Sequence, residues 1–145
     1  ELDEVRDREE ILEVDLHDAP DLAPVLCAAA VQVQAGMRIV NAAHLRAKES
    51  NRIEDLASAF ASVGIEVEAL EDGLLVPVGV QRASEGVWPT YHDHRLAMAG
   101  LLCAIHAPIM IERPWVVTKS YPTLIREVRE AGARVRRVRG EEKRD

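Results

Sequence analysis

The feature that most constrains this chain is that it runs through one plan of apolar periodicity twice. Helix, strand, helix, glycine, strand occurs once in each half, and Val63-Gly64-Ile65-Glu66-Val67 resembles Ala131-Gly132-Ala133-Arg134-Val135 at an offset of 68 residues. The helical runs that open near Asp21 and near Asp93 are about 72 residues apart. A repeat of this size is one supersecondary unit, and two such units bury their apolar faces against each other. The expected architecture is α/β, two βαβαββ-type units with helices packed on sheet, the second unit with or without its last strand.

Element by element, Ile11-Leu12-Glu13-Val14 reads as a strand, and Pro20-Asp21 opens an Ala-rich helix ending near Gly36. Met37 to Val40 is a second strand. Ile53, Leu56, Phe60 and Val63 recur at helical spacing within a helix from about Glu49 to Val63. Ile65 to Leu70 alternates apolar and acidic residues, Asp72-Gly73 is a hairpin signal, and Leu74 to Val78 returns as the partner strand. Gln81 to Pro89 reads as a loop. A helix from Tyr91–Arg95 to His106, a strand from Pro108 to Glu112, a helix from Tyr121 to Ala131 and a strand from Ala133 to Val138 complete the order. The boundaries expected are one partial domain over 1–139, with repeat one at about 11–79 and repeat two at about 87–139, then a charged, frayed tail at 140–145.

Only 3% of the residues are aromatic against 48% hydrophobic, so the core must be built from Ala, Val, Leu and Ile. The formal net charge of −7 disfavours nucleic acid, whose backbone needs a broad basic surface. A small anion needs only a few convergent cations. Cys27 and Cys103 sit in Ala/Leu-rich runs outside any CxxC or Cys/His cluster, and read as buried reduced thiols rather than a disulfide or metal site. The longest apolar runs, Val25 to Val31 and Leu96 to Ile105, are too short to span a bilayer, and no signal peptide is visible. The expectation is a cytoplasmic protein without a membrane partner.

Charged residues cluster where the helices are expected to start: Asp21; Lys48, Glu49 and Arg52; Asp93, His94 and Arg95; Lys119. Basic residues at a helix start oppose the macrodipole unless an anion sits there, and the backbone N–H groups already favour one. Successive βα units bring their helix starts to one sheet edge, so Lys48, Arg52, Arg95 and Lys119 could converge on one anionic ligand. Taken singly, each cation reads more simply as a solvated surface charge, Glu49 as a capping-region acid, Asp21 as an N-cap, and Asp93 as a partner for Arg95. Periodicity and charge together reach an α/β domain able to bind phosphate, and no further.

Four stretches go further. Leu45-Arg46-Ala47-Lys48-Glu49-Ser50-Asn51-Arg52-Ile53 resembles the LRxKES-D-R-I motif of EPSP synthases. Tyr91-His92-Asp93-His94-Arg95-Leu96-Ala97-Met98 resembles their DHR motif, Val117-Thr118-Lys119-Ser120-Tyr121-Pro122 their K-T/S-F/Y-P motif, and Ala19-Pro20-Asp21 their PD segment. All four occur in the family's order. Asn51 stands where the family usually has Asp, His92 where Asn is common, and Leu96 where Met is common.

The resemblance implies part of the C-terminal inside-out α/β barrel domain of enolpyruvyltransferases. It also implies transfer of the enolpyruvyl group of phosphoenolpyruvate (PEP) to the 5-hydroxyl of 3-phosphoshikimate, without metal or organic cofactor. On that basis Arg52, Arg95 and Lys119 resemble the residues that hold PEP, and Lys48 the residue that bridges PEP and the attacking hydroxyl. Asp21 resembles the carboxylate that holds that hydroxyl, and Glu49 the acid that protonates the PEP methylene. His94 is expected to be structural. Glyphosate, an inhibitor at the family's PEP site, is expected to meet the same cations. Such chemistry needs an acid of matched pKa, a base near the hydroxyl and cations around a trianion.

A complete family member has two domains of three βαβαββ units each, with substrates in the cleft between them. The resemblance therefore casts this chain as a fragment of the last two units, without the N-terminal domain, inactive alone and prone to self-association. Two alternatives stay open: the sister enzyme that acts on UDP-N-acetylglucosamine, and a non-catalytic anion-binding remnant.

Overall fold

The computed structural model describes residues 10–48 and 50–138; the charged opening stretch 1–9, Glu49 and residues 139–145, with the charged tail, lie outside the described residues. β1 (Ile11–Asp15) and β2 (Gly36–Val40) pair in parallel, with Ile11 opposite Gly36 and Asp15 opposite Val40. The crossover between them carries a 3-10 turn, Pro20–Leu22, and helix α1 (Ala23–Ala30). A second 3-10 turn, Ala43–Ala47, leads to α2 (Arg52–Ala61), which buries Ile53, Leu56, Ala59 and Phe60 along one stripe. Asn51 caps α2 by accepting from the Glu54 N–H at 3.4 Å. The hairpin of β3 (Glu68–Ala69) and β4 (Leu74–Val76) then closes a four-stranded sheet in the order β1-β2-β4-β3, with β4 antiparallel to both neighbours.

The second half begins the same pattern. β5 (Gly86–Trp88) and β6 (Ile109–Ile111) pair in parallel around helix α3 (His94–Cys103), and a 3-10 turn, Pro114–Lys119, precedes α4 (Leu124–Glu130). The order βαβα thus recurs, and among the described residues no hairpin follows it.

Several expectations are corrected. The expected loop over Gln81 to Pro89 contains β5, whose three residues are too few to show periodicity. The expected strand over Ala133 to Val138 has no regular structure. A strand needs a hydrogen-bonding partner, and in the first unit that partner is the β4 that follows β3. Most of the strand expected over Ile65 to Leu70 is irregular too, because the Gln81 amide takes the place of a neighbouring strand: Glu66 N–H donates to its Oε1 at 2.7 Å, and its Nε2 donates to Glu66 O at 2.9 Å. Gly36 does not end the first helix, which stops at Ala30. It is the first residue of β2, where a Cβ would lie 2.9 Å from the Val76 carbonyl oxygen. α2, α3 and α4 are each shorter than expected at one or both ends.

The two units share one main core, and a second, smaller cluster of Ala97, Val116 and Val117 lies within the second unit. α1 and α3 pack directly on each other, and small residues on both (Cys27, Ala28, Ala30, Ala99, Cys103) are buried there. The thiols of Cys27 and Cys103 are both pushed up to about 12, by burial above all, and for Cys27 also by the neighbouring Cys103. They are free, buried and unreactive. The two buried aromatics, Phe60 and Trp88, meet at the junction: Phe60 of α2 packs on Trp88 of β5 edge to face, ring centres 5.1 Å apart. The Trp88 indole N–H donates to the Leu96 carbonyl at 2.8 Å.

Candidate functional site

α1 and α3, packed side by side, bring their leading ends together, and α2 begins against both. Pro20 sets the 3-10 turn that carries Asp21 just ahead of α1. Arg52 is the first residue of α2, Asp93 is the N-cap of α3, and Arg95 is its second residue. These four side chains form one chain of ion pairs. Asp21 gives one carboxylate oxygen to Arg52 Nη1 at 2.8 Å and the other to Arg95 Nη2 at 2.8 Å. Arg52 Nε reaches Asp93 Oδ2 at 2.7 Å, and Asp93 Oδ1 accepts from the Arg95 backbone N–H at 2.9 Å.

Burial divides the network. The side chains of Arg52 and Asp93 are 2% and 4% exposed, whereas that of Asp21 is 47% exposed. Arg52 and Asp93 form the buried base, and Asp21 is a solvent-facing carboxylate that occupies two guanidinium groups. Partial burial raises the Asp21 pKa, but the Arg52 hydrogen bond and the charges of Arg95, Arg52 and Lys48 outweigh it, so the carboxyl titrates below its ordinary range. At neutral pH it is an ionised acceptor and a weak base.

Arg95 Nη1 lies 2.8 Å from His94 Nε2. A guanidinium can only donate, so Nε2 is unprotonated and the neutral ring carries its proton on Nδ1. Burial, and then the Arg95 charge, lower the His94 pKa in agreement. His94 thus orients Arg95. Asp21, Val25, His94, Arg95, Met98, Ser120 and Tyr121 line an open groove of about 400 Å³ over this network. Its apolar side suits the carbon frame of a small ligand, and its polar side suits an anion.

Of the expected site residues, Asp21, Arg52 and Arg95 are in direct contact. Lys48 is exposed in the segment before α2, and its charge reaches Asp21. Lys119 is exposed at the end of its 3-10 turn, next to the groove residue Ser120. Glu49 lies outside the described residues. Two local expectations are corrected: Lys48 and Lys119 do not adjoin their helices, because α2 begins only at Arg52 and α4 only at Leu124. The macrodipole argument therefore applies to Arg52 and Arg95 alone.

The simplest sequence reading of Asp93 is a partner for Arg95, and it does accept from the Arg95 backbone N–H. It also caps α3 and holds Arg52, 41 residues away, which makes it a site residue that local reading missed. Its place immediately before a helical run was the available signal. Tyr121 and Ser120 were present in the K-S-Y-P stretch, but nothing local placed them on the groove.

A family model described as EPSP synthase (3-phosphoshikimate 1-carboxyvinyltransferase) matches residues 2–128. A 3-phosphoshikimate 1-carboxyvinyltransferase of Brachyspira hyodysenteriae is 35% identical over 126 residues, covering 86% of this chain and 30% of that protein. One from Archaeoglobus fulgidus is 35% identical over 127 residues, covering 88% and 30%. One from Clostridium novyi is 32% identical over 121 residues, covering 82% and 28%. A solved structure of EPSP synthase from Acinetobacter baumannii superposes with a TM-score of 0.73 at 30% identity, over 79% of this chain and 27% of that one. The chain thus spans under a third of the length of the relatives it matches. The match runs through all four motif stretches and every residue of the ion-pair network, and on it the chain belongs to the EPSP synthase family.

Proposed function

We propose that this chain carries the PEP-binding and proton-transfer residues of an enolpyruvyl transfer to the 5-hydroxyl of 3-phosphoshikimate, which yields EPSP and phosphate. The observation that carries the reading is that two guanidinium groups from different helices share one half-exposed carboxylate at the mouth of a groove. Asp21 holds the place of an anion. When PEP takes Arg95 and displaces Asp21 from Arg52, Asp21 loses the partners that depress its pKa, becomes more basic, and is left to accept the proton of the attacking hydroxyl. Arg52 keeps its geometry through this exchange because Asp93 holds it from below. Lys48 and Lys119 add positive charge from the two flanking segments, and Glu49 protonates the methylene carbon. The acceptor is assigned as 3-phosphoshikimate because the family and the relatives carry that name.

Because the chain covers 28% to 30% of these relatives, we propose that alone it binds PEP without turning it over, the rest of the acceptor site being supplied by a further domain. Its compartment is taken to be the cytoplasm, in keeping with two free buried thiols. Titration of the 145-residue chain with PEP, followed by NMR, should show saturable shifts at Arg95 and Tyr121. Arg95→Met should weaken binding about tenfold or more. Phosphate release from PEP plus 3-phosphoshikimate should stay at background. Equal affinity in the variant would defeat the site assignment, and full turnover would defeat the division of labour.

A further inference from the structure

The exposed segment that carries Lys48 is braced from one side by a residue outside the ion-pair network. Arg46, in the 3-10 turn Ala43–Ala47, uses three of its nitrogens on three different groups. Nε donates to the Glu71 carbonyl at 2.9 Å, Nη2 to the Leu70 carbonyl at 2.6 Å, and Nη1 to Glu54 Oε1 at 3.0 Å. Leu70 and Glu71 begin the β3–β4 turn, and Glu54 is the third residue of α2. The ion pair therefore joins residues eight positions apart, with Lys48 between them.

The far side of the brace is itself fixed. Ala42 N–H donates to the Asp72 carbonyl at 2.7 Å, and Asn41 N–H to Asp72 Oδ2 at 3.1 Å. At Gly73 a Cβ would come within 1.8 Å of the Ile39 carbonyl oxygen, so the hairpin tip lies flat on β2. The sheet holds the hairpin, and the hairpin, through Arg46, holds the start of the loop. The other end is held by the Asn51 cap and buried Arg52. A lysine at position 46 has three N–H donors on a single nitrogen, and these cannot reproduce the planar spread by which Nε, Nη1 and Nη2 reach three separate acceptors.

We propose that Arg46 is a positioning residue for Lys48: by tying the loop start to the hairpin turn and to Glu54, it holds the ammonium on the Asp21 side of the ion-pair network, within reach of an anion bound in the groove. The inference rests on the reading of the groove as a PEP site. It differs from a purely structural role in predicting that the effect of Arg46 on ligand affinity passes through Lys48.

The test is a double-mutant cycle on the full chain, with PEP affinity as the readout. Arg46→Met should weaken PEP about tenfold when Lys48 is present, and change affinity little in a Lys48→Met background. Glu54→Gln, at an exposed site that leaves the fold intact, should act in the same direction and less strongly. Equal loss in both backgrounds, or no loss in the first, overturns the proposal. Amide hydrogen exchange provides a readout without ligand. Arg46→Met should speed exchange at Ala47, Lys48 and Ser50 about tenfold while leaving Leu56 to Phe60 unchanged, and a uniform rise or no change overturns it. If the wild-type chain fails to bind PEP, the reading of the groove falls, and the exchange experiment alone decides the role of Arg46.

Discussion

At the scale of single residues, the site depends on how differently two aspartates are buried. Asp93 compensates Arg52 in a dry setting, where an unpaired guanidinium is costly, while Asp21 contacts the same arginine from solvent. Asp93→Asn keeps the shape and the capping oxygen but removes the charge, and should cost about 3 kcal/mol of folding stability. Asp21→Asn should cost under about 1 kcal/mol, because exposed pairs are screened. Urea unfolding of both variants measures the difference, and equal losses would mean that burial does not rank the two pairs. Titration makes a second prediction. The pKa of His94 is lowered on folding, so the unfolded chain takes up that proton first as pH falls. Its contribution to stability is therefore present above the ordinary imidazole value of 6.5 and is lost as pH drops from there toward the depressed folded value. Asp21, also depressed, loses its contribution only below the ordinary carboxyl value of 3.8. Melting temperature against pH should start to fall near 6.5 in the wild type, and His94→Gln should flatten that first step.

At the scale of elements, α3 is placed as much by its contact with β5 as by its own sequence. Gly100 faces the Trp88 ring so closely that an added Cβ would lie 2.7 Å from the indole. Phe60 flanks the ring, and its N–H is committed to Leu96, so it has no easy way to retreat. Ala has higher helix propensity than Gly, by about 1 kcal/mol, yet overpacking opposes it by about 1–3 kcal/mol. Gly100→Ala should therefore lower the urea midpoint and shift the emission of the buried tryptophan. A rise in the midpoint would show that α3 can move away from β5. The hairpin of the first unit teaches the complementary lesson. β3 forms only where β4 returns beside it, and the Gln81 amide serves the residues ahead of it.

Across the whole molecule, two units contribute to one continuous core, so neither is expected to fold without the other. That shared core is also why the leading ends of α1, α2 and α3 meet in one place. Among the described residues, the same arrangement leaves β1 at the edge of its sheet, with Ile11 and Leu12 51% and 57% exposed. Bare apolar edges pair with other chains. Sedimentation of the isolated chain should accordingly depend on concentration, and Leu12→Lys should reduce that dependence. A monomer at every concentration would exclude self-association through this edge.

Much of this protein was determined locally. Apolar spacing marked α2, turn chemistry marked the β3–β4 reversal, and four motif stretches pointed to the family and drew attention to Arg52 and Arg95. These depend on neighbours a few residues apart, and the sequence records such neighbours directly. Contacts between distant residues were decided only by the tertiary structure. Asp93 paired with Arg52 rather than the nearby Arg95 side chain because packing of the two units buried one guanidinium and left the other facing solvent. The residues from Ala133 to Val138 stayed irregular although their pattern resembles a strand, and three residues at Gly86–Trp88 became one, because strands form where a partner edge is in reach. Composition and periodicity describe what a segment can do, and only the assembled core determines which partner it meets.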